Sequence, residues 1–261
     1  MPAKSTRAAK PVAPVKPRPR DLLRATGLPI HPFDIAHHVD TSGLVPAAHL
    51  ITGHPNDEHV TAYYGVAPSI LRSLIDRWLN ETNPAAPIDR YTFVDIGAGK
   101  GRALLLASQS PFREVIGVEL NPEMVIIAQR NIARWLRTEQ HLSTIHLHQQ
   151  DATAFTFPPG PCLVFMFHPF EEPVLRRFLR SIETQFAKRP NKLDILYVNA
   201  ECAATFDRHP FFTQLWSGPV PMSAEDHVAD LAAIAQQKEY GSTGDEICAI
   251  YRYTGRKSSS S

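Results

Sequence analysis

The feature that most constrains the fold is a glycine-rich turn between an apolar stretch and a stretch of helix-forming residues. The segment FVDIGAGKGR spans residues 93–102 and places glycines at alternate positions, with Asp95 two residues before the first of them. YTFVDI (91–96) predicts a buried strand, and GRALLLAS (101–108) opens a helix. A strand, a tight turn and a helix in this order are the context in which a glycine loop binds a ligand.

Strand and helix patterns alternate after this turn. Helices are predicted over NPEMVIIAQRNIARWLRT (121–138), with Asn121 as N-cap and Pro122 at the first helical position, and over EEPVLRRFLRSIETQFAKR (171–189). The alternation predicts a doubly wound α/β fold with a mostly parallel sheet. The last two strands lack a full crossover unit, which predicts an antiparallel pair at the sheet edge. The predicted strands are 91–96, 114–120, 144–149, 162–167, 193–199, 211–216 and 247–253.

The N-terminal part of the chain differs from this pattern. Residues 1–20 hold six basic side chains, five prolines and no acid, so we expect a disordered arm. Residues 21–67 are rich in turn formers and lack periodicity, which predicts an irregular cap packed over a site on the main domain. A helix is predicted over residues 69–80, where apolar side chains share one face. It completes an N-terminal extension that spans residues 21–90.

Residues 91–254 are predicted to form one ligand-binding domain, followed by a polar tail at 255–261. An insertion with a helical stretch is expected at residues 217–246, between the last two strands. No metal site is predicted, although six of the twelve histidines fall between His31 and His59. The reason is that no cysteine partner and no helical carboxylate–histidine motif accompanies these histidines.

The charges and cysteines of the chain limit which partners and which cellular compartment are expected. Without residues 1–20, the chain has 21 basic against 26 acidic residues, so its body is unlike a nucleic-acid-binding surface. No apolar run reaches the about 18 residues of a membrane span, so no membrane partner is expected. Three cysteines far apart in sequence favour a reducing compartment, and we expect a cytoplasmic protein.

Three ligands compete for the glycine loop. A P-loop requires Gly-Lys-Ser/Thr, whereas Gly101 follows Lys100 here and supplies no hydroxyl for magnesium. A dinucleotide fold requires G-x-G-x-x-G, and Asp95 would face its pyrophosphate with the wrong charge. S-adenosylmethionine has no phosphate but carries a carboxylate for the loop amides and an ammonium for Asp95. In that case Lys100 is a helix-start residue with its charge in solvent.

On these residues the chain resembles the class I S-adenosylmethionine-dependent methyltransferases, over about residues 69 to 253. VDIGAGKGR, GVELNPEM (117–124) and QQDATAF (149–155) are similar to the first three motifs of that family. The resemblance implies a seven-stranded sheet with an antiparallel terminal strand. It also implies that Glu119 binds the ribose hydroxyls, and that Asp151 and Ala152 bind the adenine. The full set of implied cofactor-binding residues is Asp95, Gly97, Ala98, Gly99, Gly101, Glu119, Asp151 and Ala152.

The methyl acceptor is less well indicated. FMFHPF (165–170) stands where the family has its fourth motif, but a histidine replaces the usual Asn or Asp and only one proline is present. His168 is a candidate acceptor or general base for an N–H or O–H nucleophile, or else a structural residue that caps the next helix. Pro169 and Phe170 are candidate substrate-binding residues. Tyr64, or its neighbour Tyr63, is expected to line the site or to pack in the core.

We therefore predict an enzyme that transfers a methyl group to a nitrogen or oxygen of an unidentified acceptor. A small molecule or a protein side chain fits the acidic body better than a nucleic acid. An NAD(P)-binding oxidoreductase and a non-catalytic cofactor-binding or interaction module remain as alternatives. The sequence indicates no oligomeric state.

Overall fold

A computed structural model describes residues 30–235 and 244–255. The arm predicted at residues 1–20 and residues 256–261 of the tail lie outside the described residues. Part of the predicted insertion, residues 236–243, also lies outside them. Of the described helices, none is both long and apolar enough to cross a membrane.

Seven strands in the described residues form one sheet with the order β3-β2-β1-β4-β5-β7-β6. Strands β1 to β5 run parallel, β7 is antiparallel to β5, and β6 is antiparallel to β7. This arrangement confirms the predicted α/β fold with a mostly parallel sheet and an antiparallel terminal strand. The strands are β1 Thr92–Ile96, β2 Glu114–Glu119, β3 Ile145–Gln149, β4 Cys162–Phe167, β5 Leu193–Val198, β6 Phe212–Pro221 and β7 Asp245–Tyr253.

Helices cover both faces of this sheet. The helices of the described residues are α1 Pro32–His37, α2 Pro68–Glu81, α3 Arg102–Ala107, α4 Pro122–Thr138, α5 Glu172–Phe186, α6 Ala203–Asp207 and α7 Ala224–Ile234. Short 3₁₀ turns are found at Ala47–His49, Asp57–His59, Ile88–Arg90 and Ala152–Ala154. Asn121 caps α4 as predicted, since its side chain accepts hydrogen bonds from the amides of Glu123 and Met124.

The core has two layers because successive residues of a strand point to opposite faces of the sheet. Phe93 packs with α2, α3 and the buried Trp135 of α4, whereas Val94 packs with α5 on the other face. Both residues are fully buried, and a side chain of this kind stabilises the fold by roughly 1.5–3 kcal/mol. The near-continuous apolar sequences of β1, β4 and β5 follow from this two-sided burial.

A buried carboxylate, Asp194, joins two strands of the sheet to α2. Asp194 of β5 is inaccessible to solvent and accepts hydrogen bonds from Arg252 of β7 and from the indole Nε1 of Trp78. The three bonds measure 2.7, 2.8 and 2.9 Å, so both carboxylate oxygens have donors. The charge of Asp194 is therefore compensated inside the core.

The last two strands are longer than the sequence predicted. Strand β6 continues beyond residue 216 to Pro221, and β7 begins at Asp245, so the connection between them is shorter than 217–246. Pro219 and Pro221 lie within β6, although proline supplies no amide donor. In the sheet formed by the described residues, β6 is an edge strand that pairs on one side with β7, and proline is tolerated on the other side.

Candidate cofactor site

A cavity opens at the carboxyl ends of β1, β2 and β4, beneath the segment 60–66 of the N-terminal region. Its volume is about 120 Å³. A doubly wound sheet places its ligands at this edge, where the strand order reverses beside β1. The predicted site residues that line the cavity are Tyr64, Asp95, Gly97, Ala98, Gly99, Glu119, Asp151, Ala152, Pro169 and Phe170.

The glycine loop forms one wall of the cavity through close approaches that a side chain would block. Gly97 has a φ of 76°, and a Cβ atom there would lie 2.5 Å from the Cβ of Pro169. Gly99 has a φ of 54°, and a Cβ atom there would overlap the ring of Tyr63. Gly101 does not line the cavity, because it is the residue at which the chain turns into α3.

Two carboxylates lie at the ends of neighbouring strands. Glu119 accepts hydrogen bonds from the amides of Gly99 (2.7 Å) and Asn121 (2.8 Å), which fix its side chain against the loop. Asp95 is buried, and no described residue donates a hydrogen bond to its carboxylate. Burial raises the pKa of Asp95 well above its ordinary value, and the Glu119 carboxylate adds to this effect. Burial also raises the pKa of Glu119, against the opposite influence of its amide donors.

Asp151 follows β3 and has a local structural role as well. Its carboxylate accepts hydrogen bonds from the amide (2.9 Å) and hydroxyl (2.7 Å) of Thr153 and so caps the 3₁₀ turn Ala152–Ala154. This cap orients Ala152 at the cavity wall. The three acids predicted from the sequence therefore meet at one cavity, although the first and the last of them, Asp95 and Asp151, are 56 residues apart in the chain.

The end of β4 contributes Phe167, Pro169 and Phe170 to the cavity, but not His168. The hydroxyl of Tyr197 accepts a hydrogen bond from the amide of Cys202 and is hydrogen-bonded to Nδ1 of His168 at 2.8 Å. Nε2 of the same ring lies 3.4 Å from a carboxylate oxygen of Glu201. Burial lowers the pKa of His168, against the influence of the Glu201 carboxylate. His168 does not cap the next helix, whose N-cap residue is Glu171, and its catalytic role stays a prediction.

Tyr64 lines the cavity and joins it to α7. Its hydroxyl donates a 2.5 Å hydrogen bond to Asp230, a buried residue of that helix. Burial raises the pKa of this phenol, and the Asp230 carboxylate raises it further. Among the described residues, this hydrogen bond connects α7 of the predicted insertion to the wall of the site.

The expected position of Lys100 is wrong, because its side chain is completely buried. Nζ donates to the backbone oxygen of Ser42 at 2.6 Å and to Asp40 at 3.2 Å. Arg102 lines the cavity and was not singled out in the sequence. Its guanidinium donates to Thr41 Oγ1 and to the carbonyl oxygens of Gly65 and Val66. No local pattern indicates these contacts, since the partners lie far away in the chain.

The other lining residues, which the sequence did not assign to the site, include several polar side chains and an aromatic one. Asn121 and Gln150 follow β2 and β3, and Phe167 ends β4. Asn56 and Thr61 reach the cavity from the cap. The position of Asn121 and Gln150 directly after predicted strands could have indicated their place at the site.

Comparisons with known proteins give a family match and distant structural similarities. Residues 93–188 match the model of the family described as a methyltransferase domain. A comparison with curated proteins finds no match. Among solved structures, the chain is similar to the YcgJ protein from Bacillus subtilis, with 14% identity, a TM-score of 0.44, and coverage of 72% of this chain and 100% of that chain.

A second similar structure is magnesium protoporphyrin IX methyltransferase (ChlM) from Synechocystis PCC 6803 with bound SAM. Its identity is 12% and its TM-score 0.45, over 72% of this chain and 79% of that chain. The residues matched by the family model include β4, all the predicted cofactor-binding residues, and the segment 168–170. Residues 93–188 are therefore similar to a methyltransferase domain, and they lie within a fold that has a seven-stranded, mostly parallel sheet.

Proposed function

We propose that the protein binds S-adenosylmethionine in this cavity and transfers its methyl group to a nitrogen or oxygen of an acceptor. The observation that carries the proposal is the meeting of Asp95, Glu119 and Asp151 beside the glycine loop. As acceptor we propose a small molecule or a protein side chain, since the body of the chain is acidic.

The residues of the cavity fit this cofactor better than a phosphate-bearing one. S-adenosylmethionine offers an ammonium, a sulfonium, two ribose hydroxyls and an adenine amine, and each of these groups suits a carboxylate. Asp95 is buried without a donor among the described residues, and a cation beside it would favour its ionised form. The phosphates of a dinucleotide would instead meet carboxylates of like charge.

The proposal assigns one contact to each residue. The amides of the glycine loop bind the carboxylate, and Asp95 binds the ammonium directly or through water. Glu119 binds the ribose hydroxyls. Each of its carboxylate oxygens accepts one hydrogen bond from a backbone amide and keeps a second lone pair that can accept from a hydroxyl. Asp151 accepts from the adenine amine, and the amide of Ala152 donates to the ring.

When bound, the cofactor supplies a methyl group on a sulfonium, which is already reactive toward nucleophiles. The chain then has to align the nucleophile with this methyl and to exclude water. Alignment of this kind accounts for roughly 7–11 kcal/mol of a barrier. Tyr64, Pro169 and Phe170 line the cavity and are the proposed contacts of the acceptor.

Calorimetry with S-adenosylmethionine and with NADH tests the cofactor. We expect binding of S-adenosylmethionine alone, and a weaker affinity in the variant Glu119→Ala. Binding of NADH in place of S-adenosylmethionine would show that the protein is an oxidoreductase and would refute the proposal. A screen of small molecules and peptides for label from methyl-labelled cofactor then identifies the acceptor.

His168 is proposed as the residue that binds the N–H or O–H of the acceptor, because its neighbours Phe167 and Pro169 both line the cavity. The variant His168→Ala is expected to lower turnover of the identified acceptor far more than the affinity for S-adenosylmethionine. Unchanged turnover would assign the residue a structural role. Tyr197→Phe is the matched variant, because it removes the hydroxyl that is hydrogen-bonded to Nδ1 and keeps the histidine.

A further inference from the structure

Lys100 is a charged residue that the fold has enclosed completely. Its side chain has no solvent exposure, and burial lowers the pKa of its ammonium, against the influence of Asp40. Taking an ammonium out of water costs several kcal/mol unless other groups replace its hydration. Groups of the protein therefore have to replace the water around this ammonium.

Three groups of the N-terminal region surround this ammonium. The backbone oxygen of Ser42 accepts at 2.6 Å, and Asp40 Oδ1 accepts at 3.2 Å. The ring of Tyr63 lies 5.6 Å from Nζ, measured to its centre, within the range of a cation–π interaction. All three partners come from outside the glycine loop, so the side chain of Lys100 connects the loop to the cap.

A second residue strengthens this connection. Asn131 of α4 is buried and exchanges two hydrogen bonds of 2.8 Å with the backbone of Asp40. The same amide group donates to the backbone oxygen of Lys100 at 2.9 Å. Asp40 is therefore held from two sides, by the glycine loop and by α4.

The connection continues to the wall of the cavity. The hydroxyl of Tyr63 donates to the backbone oxygen of Thr41 at 2.7 Å, and the Tyr63 ring packs on Gly99 so closely that no Cβ would fit between them. Both Tyr63 and Gly99 line the cavity, whereas Lys100 does not. Any movement of the segment 40–42 would therefore move the ring that closes the cavity over the loop.

We propose that Lys100 is a positioning residue for the cofactor, because it holds the segment 40–42 and the Tyr63 ring over the glycine loop. In this arrangement, docking of the cap is part of cofactor binding, and the glycine loop alone is an incomplete site. The inference rests on the proposed binding of S-adenosylmethionine in this cavity. It adds a role for a residue that does not touch the cofactor.

The test compares Lys100→Met with the wild-type chain and with Lys188→Met, an exposed lysine after α5. Methionine keeps an unbranched stem of similar length and removes the ammonium. Apparent affinity falls in proportion to the fraction of molecules whose cap is docked. We expect S-adenosylmethionine to bind Lys100→Met at least about tenfold more weakly in calorimetry, if the docked fraction falls to about one tenth. Lys188→Met is expected to bind it as the wild type does.

Hydrogen exchange without cofactor provides a second readout. In Lys100→Met we expect faster exchange of the amides in peptides that cover residues 40–64, and unchanged exchange in β4 and β5. A folded Lys100→Met protein with wild-type affinity for S-adenosylmethionine would overturn the inference. Equal acceleration of exchange in β4 and β5 would also overturn it, because the residue would then stabilise the whole fold.

Asp40→Ala decides the question if Lys100→Met does not fold. The Asp40 side chain is 66% exposed, so its removal leaves the core intact and takes away one acceptor of the ammonium. Weaker binding of S-adenosylmethionine with faster exchange in the cap supports the inference, and wild-type values of both overturn it. A wild-type chain that binds no S-adenosylmethionine would instead refute the proposed function, together with everything that rests on it.

Discussion

The contact between Gly99 and Tyr63 gives the sharpest prediction about the site. Gly99 has a φ of 54°, and the Cβ of an alanine there would come closer than 3.0 Å to two ring carbons of Tyr63. The ring cannot turn aside freely, because its hydroxyl donates to Thr41 and the ammonium of Lys100 lies over it. Gly99→Ala therefore has to displace either the loop or the ring.

Two effects add to the cost of Gly99→Ala. A left-handed backbone costs an alanine roughly 1–2 kcal/mol relative to glycine. Forcing a methyl group into a packed contact costs roughly 1–3 kcal/mol more. We therefore expect a loss of unfolding free energy of roughly 2–5 kcal/mol, and S-adenosylmethionine binding weaker by at least about tenfold, which corresponds to 1.4 kcal/mol.

Gly53→Ala is the matched control. Gly53 has a φ of 91°, and a Cβ atom there would have no neighbour within 4 Å. Its substitution therefore carries the backbone cost without the contact, and we expect a smaller loss of stability and wild-type affinity for S-adenosylmethionine. Urea unfolding measures the first quantity and calorimetry the second.

Equal losses of stability in the two variants, with wild-type affinity in Gly99→Ala, would refute this reasoning. Such a result would mean that only the backbone angle matters and that Tyr63 does not press on the loop. The double variant Gly99→Ala/Tyr63→Ala adds a check, because removing the ring should recover the part of the loss that comes from the contact.

Three further predictions concern charge. Binding of S-adenosylmethionine should release a proton at pH values below the raised pKa of Asp95, because the cation of the cofactor favours the ionised carboxylate. Calorimetry in buffers of different ionisation enthalpy measures this release, and Asp95→Asn should reduce it. Burial and the charge of Arg102 lower the pKa of His31 to about 4, so the stability that the neutral ring contributes is present above pH 6.5 and is lost as the pH falls through about 4. In urea unfolding, His31→Gln should remove up to roughly 3 kcal/mol of this pH dependence of the unfolding free energy. An unchanged pH dependence in this variant would contradict the assignment to His31. Arg252→Met leaves Asp194 buried without its cation and should cost roughly 3–5 kcal/mol of unfolding free energy, whereas a loss below 1 kcal/mol would mean that the pair adds little.

Much of the fold could be predicted because its signals are local. Each strand and helix of the sheet domain depends on the spacing of its own apolar residues, and Asn121 caps α4 through amides two and three residues away. The acids could be predicted for the same reason. A residue that ends a parallel strand lies at the carboxyl edge of the sheet, wherever that strand is placed in the order.

The edge strand shows where local signals fail. Pro219 and Pro221 would break an interior strand, and only the position of β6 at the end of the order makes them acceptable. The sequence of β6 does not contain this information, because the position depends on which strands pair with β7.

Lys100 shows, at the cofactor site, the same limit of what local sequence signals can predict. By itself the sequence determined the glycine loop, the three acids and the class of fold, since these depend on residues near each other in the chain. Only the tertiary structure decided that the ammonium of Lys100 is buried and that His168 turns to Tyr197. The partners of Lys100 lie 58 and 60 residues away, and the contact of His168 with Tyr197 spans 29. The free energy of a charged side chain depends on what surrounds it, and these surroundings form only when distant segments pack together.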